Sequence, residues 1–217
     1  MGKLQNREKH MLKLLEGVDR KLVNQLVIMH VIVIALSNYL VQFKFNLFPG
    51  ANLPFFGEFP LAVAAFTFPI VVVATDLTVR MVGKEAGRAV VALAVIPAII
   101  VSILVVWGGG APVEKALRIG AASGVAYGVG TMLDVYVFQH IREKFTEMWW
   151  AAPAFSTICA NILDTYAFFY TAFYPAPWVH AVAFNQTITK IIVGLIVFLP
   201  AYGFLLNYLR KKLGRSL

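Results

Sequence analysis

The sequence predicts an all-α polytopic membrane protein with six transmembrane helices, and three observations predict it. Hydrophobic residues make up 59% of the 217 positions and charged residues 14%, where soluble domains carry roughly 45–50% and about 25%. Six stretches, 22–41, 60–80, 89–107, 117–138, 151–174 and 183–208, are long and apolar enough to cross about 30 Å of hydrocarbon as helices, which satisfy their own backbone hydrogen bonds. Lys and Arg are also unevenly placed: fifteen fall before the first span, after the second, after the fourth and in the tail. Only Lys44, Lys115 and Arg118 lie on the other side, with Lys190 inside the last span. Positive flanking charge stays cytoplasmic, so both termini are expected there. Trp149 and Trp150 on one side, and Trp107 and Trp178 on the other, fit the two interfacial belts.

In chain order, residues 1–21 form a basic segment in which Met11, Leu14, Leu15, Val18 and Leu22 share one helical face, the pattern of a helix lying on the cytoplasmic surface. Residues 22–209 form a single six-helix domain and 210–217 a basic tail. The first span is expected to be an uncleaved anchor, because its basic region is long and five more spans follow; "ALS" at 35–37 only loosely resembles a cleavage site. Punctuation and charge separate the spans: "KFNLFPGANLPFFGEF", "VGKEAGR", "GGGAPVEK", "QHIREKFTEMWW" and "YPAPWVH". The third span has no ionisable group and only Ser102 as a hydroxyl, the composition of a lipid-facing or scaffold helix. "GVAYGVG" at 124–130 reads as close helix packing, and the small residues Gly120, Ser123, Gly124 and Gly128 suit a homodimer contact. Cys159 stands alone in an apolar run, so there is no disulfide framework.

Polar residues within spans carry the functional reading, because such groups face the bundle interior and mark substrate or ion paths. They are His30, Ser37 and Asn38; Thr75, Asp76 and Arg80; Asp134; Asn161 and Asp164; Gln186 and Lys190. At 1.5 Å per residue Asp164 lies about 20 Å into its span, near the midplane, with Asn161 one turn below on the same face. Lys190 enters from the far side, where Asn38 and Gln42, one turn apart, complete an outer polar wall. Asp76 and Asp134 sit toward the cytoplasmic ends of two spans that run the same way, "TDLTV" and "LDVYV", as an inner polar layer or a faint duplication. Each has a plainer reading beside it. Asp76 and Arg80 at i, i+4 make a local ion pair near the headgroups; Asn38 bonds across helices as packing glue; His30 is a satisfied interior histidine. Asp134 is shallow enough to reach water, and Asp164 with Lys190 is a structural ion pair.

Nucleotide, metal and nucleophile motifs are missing from the sequence: there is no Walker-type glycine loop, no His/Cys cluster and no nucleic-acid motif. The expectation is therefore not an enzyme, without cofactor or metal, in contact with the lipid bilayer and with no direct nucleic-acid partner. A proton-driven channel and a non-transporting assembly protein remain the alternatives to a carrier.

Five stretches taken together, "SNYLVQ" (37–42), "FPIVVVATDLTVRMVG" (68–83), "LDVYVFQ" (133–139), "WWAAPAFSTICANILDTYAFF" (149–169) and "FLPAYGFLLNYL" (198–209), resemble the queuosine precursor transporter family, the vitamin uptake-like transporters. The resemblance runs in order from Ser37 to Leu209. It implies an inner-membrane carrier of bacteria, similar in outline to the substrate-binding subunits of energy-coupling-factor transporters but with no evident ATPase partner, importing 7-cyano-7-deazaguanine. Such a base is planar, with an amino edge for a carboxylate and a carbonyl that needs a donor. Asp164 or Asp134 is expected to grip the amino edge, Lys190, Asn161, Asn38 or Gln186 to supply donors, and Phe68, Tyr39 or Phe168 to stack on the ring. Asp76, with Arg80, is the expected inner gate or proton-coupling residue.

Overall fold

The computed structural model describes residues 20–41, 43–46, 60–145 and 147–213. The surface helix expected within 1–21, the partner expected at Gln42 and the end of the tail lie outside the described residues. From the N-terminal side the chain forms α1 (Arg20–Leu40), a two-stranded hairpin of β1 (Lys44–Asn46) and β2 (Pro60–Ala62), a 3-10 turn (Val63–Phe66), α2 (Phe68–Val82), α3 (Lys84–Gly108), α4 (Val113–Lys144), α5 (Ala151–Phe173), α6 (Val179–Val193), a π-helical turn (Gly194–Phe198) and α7 (Leu199–Leu213). The last three run on as one rod, so there are six helices that traverse the bundle.

Five of these are long and apolar enough to cross a membrane, over Val23–Leu40, Val63–Met81, Lys84–Gly108, Val113–Lys144 and Val179–Leu209. α5 has the length, at 23 residues, but its mean hydropathy is lowered by Ser156, Thr157, Asn161, Asp164 and Thr165. All five of those side chains are buried. A helix that turns these five polar groups inward belongs in the centre of a bundle, and α5 packs against both α4 and α6.

The second span departs from the sequence expectation. Its first residues, Pro60–Ala62, pair antiparallel with Lys44–Asn46, in the register Lys44 to Ala62 and Asn46 to Pro60. The α-helix starts only at Phe68, with Pro69 in its first turn, where a missing N–H costs nothing. The irregular entry is tolerable because it is packed on α1 and α6 rather than on lipid. At the other extreme α4 runs for 32 residues, about 48 Å, and projects beyond the hydrocarbon.

Two ends are distinguishable by their contacts. At the basic end the Arg142 guanidinium donates to the Arg80 carbonyl at 3.3 Å; at the opposite end Arg118 donates to the carbonyls of Thr171 and Tyr174, tying α4 to the end of α5. Lipid offers no hydrophobic gain between helices, so close packing must hold them. α4 achieves this with glycine: a Cβ at Gly120 or Gly124 would collide with Ile103 or Ile99 of α3. The small-residue stripe is thus engaged by α3 of the same chain. The opposite face of α3 displays Ile96, Ile100, Leu104 and Trp107, which are exposed in the lipid-facing register, while Ser102 points inward and is fully buried.

Candidate functional site

A cavity with a largely apolar lining and a few polar groups lies between α1, α4, α5, α6 and the segment that follows β2, toward the end away from the basic loops. Asp164 and Lys190 form its charged wall: Lys190 Nζ donates to Asp164 Oδ2 at 2.7 Å and to Thr165 Oγ1 at 3.1 Å. The side chains are 7% and 12% exposed, so the pair is held largely out of solvent, where a charge without its counterpart is expensive. Gly130 of α4 makes this approach possible, because a Cβ there would stand 2.9 Å from the Asp164 Cβ. Gln186, one turn before Lys190 on α6, lines the same space, and Phe168 and Phe169 of α5 close it with aromatic surface.

Asn38 brings α1 to this site. Its amide donates to the Ile34 carbonyl at 3.1 Å, to Ser102 of α3 at 2.6 Å and to Ser123 of α4 at 3.1 Å, fixing three helices at one point. Ser37 shares a short hydrogen bond with Thr67, which in turn donates to the Ala64 carbonyl and orders the turn beside the cavity. Tyr127 stands on the wall with its hydroxyl 2.8 Å from His30 Nδ1, both rings being buried. The Nδ1 of His30 is thus partnered, while its buried Nε2 finds no hydrogen-bond partner among the described residues.

As it stands the cavity measures about 70 Å³, well under the roughly 300 Å³ of the smallest typical ligand pockets. The Lys190 to Asp164 bridge lies on its wall.

Five of the expected substrate residues, Asp164, Lys190, Asn38, Gln186 and Phe168, meet at this cavity. The others lie elsewhere. Asn161 is fully buried one turn below Asp164, beside Gly194 of the π turn, and neither atom of its amide finds a partner among the described residues. Tyr39 is 52% exposed and packs edge-on against Phe43; one residue after Asn38 on a helix is a rotation of about 100°, which turns it out of the bundle. Phe68 opens α2, and its side chain is outside the described ones. Asp134 is not at the cavity: it lies on the basic-end side, against Asp76 and Ser156.

That second cluster is the inner polar layer. Ser156 donates to the Asp76 carboxylate, at 3.2 and 3.4 Å to its two oxygens, and Asp76 and Asp134 are 1% and 0% exposed. Arg80 departs from the headgroup reading. It is buried and forms no ion pair with Asp76 among the described residues, although its charge acts on Asp76 through space. Its guanidinium instead reaches the Trp149 carbonyl and the Tyr202 hydroxyl, both at 3.4 Å, at the end where Tyr202 packs edge-on against Phe138.

Sequence reasoning passed over Ser123, Tyr127 and Thr165 as site residues. The signal was available: Ser123, Tyr127 and Thr131 recur every fourth residue and Asp134 follows three later, one continuous polar face on α4.

A multi-span helical bundle that buries a charged, amide-lined and aromatic-lined cavity, with no nucleophile or metal-ligand set among the described residues, has the build of a membrane carrier. Comparison with known proteins agrees. The sequence model of a family described as "putative vitamin uptake transporter" matches residues 62–205, and the chain belongs to that family. It is 37% identical over 202 residues to the queuosine precursor transporter of Escherichia coli (strain K12), covering 85% of this chain and 86% of the relative. It is 35% identical over 207 residues, with the same coverage, to the probable queuosine precursor transporter of Haemophilus influenzae (strain ATCC 51907 / DSM 11121 / KW20 / Rd). No solved structure matches. The protein is a multi-pass membrane transporter and not an enzyme.

Proposed function

We propose that this chain imports the queuosine precursor 7-cyano-7-deazaguanine, or a closely related deazapurine, across a bacterial inner membrane with both termini in the cytoplasm. The observation that carries the reading is the Lys190 to Asp164 pair on the wall of the cavity. A bound base exchanges the bridge for two contacts of its own. The Asp164 carboxylate accepts from the ring N–H and exocyclic amine together, as a carboxylate accepts from a planar fork. Lys190, with Gln186 or Asn38, donates to the carbonyl or nitrile, and Phe168 stacks on the ring. A ligand without the amino edge leaves a buried carboxylate unpaired, which supplies selectivity that an apolar slot lacks.

The basic residues at one end of the bundle support the orientation, and the names of the two relatives support the substrate class. The family description also fits a carrier of another small heterocycle or vitamin, so the test includes competitors. Proteoliposomes containing the purified protein are offered labelled 7-cyano-7-deazaguanine, with guanine, biotin and riboflavin as unlabelled competitors. Accumulation blocked by the unlabelled base and not by the others is expected; equal block by a vitamin transfers the assignment to that vitamin, and no accumulation of the base removes it.

A further inference from the structure

Asp76, Asp134 and Ser156 form a buried cluster that the substrate site does not use. The Ser156 hydroxyl lies within hydrogen-bond reach of the Asp76 carboxylate and of the Pro153 carbonyl of its own helix. Asp134, fully buried, lies against both Asp76 and Ser156, yet neither of its oxygens accepts a hydrogen bond of good geometry among the described residues. Two carboxylates side by side in a low-dielectric interior repel strongly, and each has lost its hydration. A cation between them removes both penalties.

We propose that Asp76 and Asp134 hold one proton between them and constitute a proton site, separate from the substrate cavity and linked to it through α4 and α5. The donor set favours a proton over a metal ion. It consists of two carboxyls and one hydroxyl, whereas hard metal cations take about six oxygens, and the positive charge of Arg80 acts on the same spot. The other groups near the pair are Tyr202 of α7, which accepts from the Arg80 guanidinium, and Arg142 at the end of α4, docked on the Arg80 carbonyl. The link to the cavity is short. On α5, Ser156, Asn161 and Asp164 follow one another over about 12 Å of rise; on α4, Asp134 and Tyr127 are about 10 Å apart. Gly130 lies between those two and touches Asp164, so a change of charge at the pair is transmitted along two helices that also form the pocket.

The proton site is tested without any substrate, by infrared spectroscopy of the protein in nanodiscs at neutral pH, before and after exchange into D₂O. A protonated-carboxyl band that shifts on deuteration is expected in the wild type. It should disappear in Asp134→Asn and in Asp76→Asn, persist in Asp164→Asn, and be unmoved by high sodium chloride. Should either aspartate variant fail to fold, Ser156→Ala serves instead and should shift the band by removing a hydrogen-bond donor. A wild type without the band, a band indifferent to Asp134→Asn and Ser156→Ala, or one abolished by sodium overturns the proposal, the last by making a metal cation the occupant.

The coupling rests on the substrate reading and is measured as uptake of labelled 7-cyano-7-deazaguanine into proteoliposomes. An inwardly directed proton gradient is expected to raise the initial rate several-fold in the wild type and not at all in Asp134→Asn. A wild-type rate indifferent to the gradient overturns the coupling. A base that is neither bound nor taken up defeats the substrate reading instead, and the infrared result then decides the proton site alone.

Discussion

Lys190 of α6 and Asp164 of α5 meet at 2.7 Å on the wall of the cavity, with Thr165 as a second acceptor for the ammonium. Neither charge is tolerable there without the other or a ligand in its place, and this makes the pair both a stability element and a latch. Removing one partner, as in Asp164→Ala or Lys190→Met, leaves an uncompensated buried charge and is expected to cost about 3–5 kcal/mol. The double variant Asp164→Asn/Lys190→Met removes both charges and should regain most of that stability while binding no base. Denaturant unfolding in mild detergent, followed by tryptophan fluorescence, measures the difference.

Asn38 should report on architecture rather than on the base alone. Its amide joins α1 to Ser102 of α3 and Ser123 of α4, and interhelical hydrogen bonds in membranes contribute roughly 0.6 kcal/mol each and at most about 1.7. Asn38→Leu is expected to lose about 1–3 kcal/mol of stability in the same unfolding assay, and Ser102→Ala less than half as much.

Gly130 is placed where only hydrogen fits, since a Cβ at that position would stand 2.9 Å from the Cβ of Asp164. Gly130→Ala forces α4 and α5 apart, a form of overpacking that costs about 1–3 kcal/mol, and should weaken base binding at least tenfold by displacing Asp164. Gly108→Ala, where nothing lies within 4 Å, is the matched control and should leave the binding isotherm unchanged.

Arg80 holds the Trp149 carbonyl and the Tyr202 hydroxyl with one guanidinium. Both bonds come from Nη1, and a lysine, whose ammonium sits on a shorter stem, does not place a nitrogen at that point. Arg80→Lys is therefore expected to slow transport at least fivefold while the affinity for the base stays within twofold, because the residue lies at the closed end and not at the cavity. Initial uptake rates set against equilibrium binding of the same preparation separate the two effects.

Much of this was legible in the residues. Asp164 and Lys190 stood out because ionisable groups within apolar spans are costly, and Asp76 with Asp134 because two parallel spans placed them at equal depth. An ion pair between Asp164 and Lys190 was one of the readings the residues offered, but nothing in the sequence selected it. Asp164 and Lys190 belong to antiparallel helices whose register depends on the connection between them, so depth alone put one in a central site and the other in an outer wall. Tyr39 misled because adjacent residues on a helix face different directions, and hydropathy does not fix rotation. The hairpin that opens the second span was hidden by apolar composition, since Leu61, Ala62 and Val63 suit strand, turn and helix alike. Arg80 looked like a headgroup residue from its position in sequence; its burial depends on Trp149 and Tyr202, which come from distant parts of the chain.

The central claim is that Asp164 is the group that holds the base, and isothermal titration calorimetry of 7-cyano-7-deazaguanine into wild-type, Asp164→Asn and Asp164→Ala protein in nanodiscs tests it directly. Saturable binding to the wild type and at least a hundredfold loss of affinity in both variants, each shown to be folded by its unfolding transition, is the expected result. Wild-type affinity retained in either variant would contradict the account.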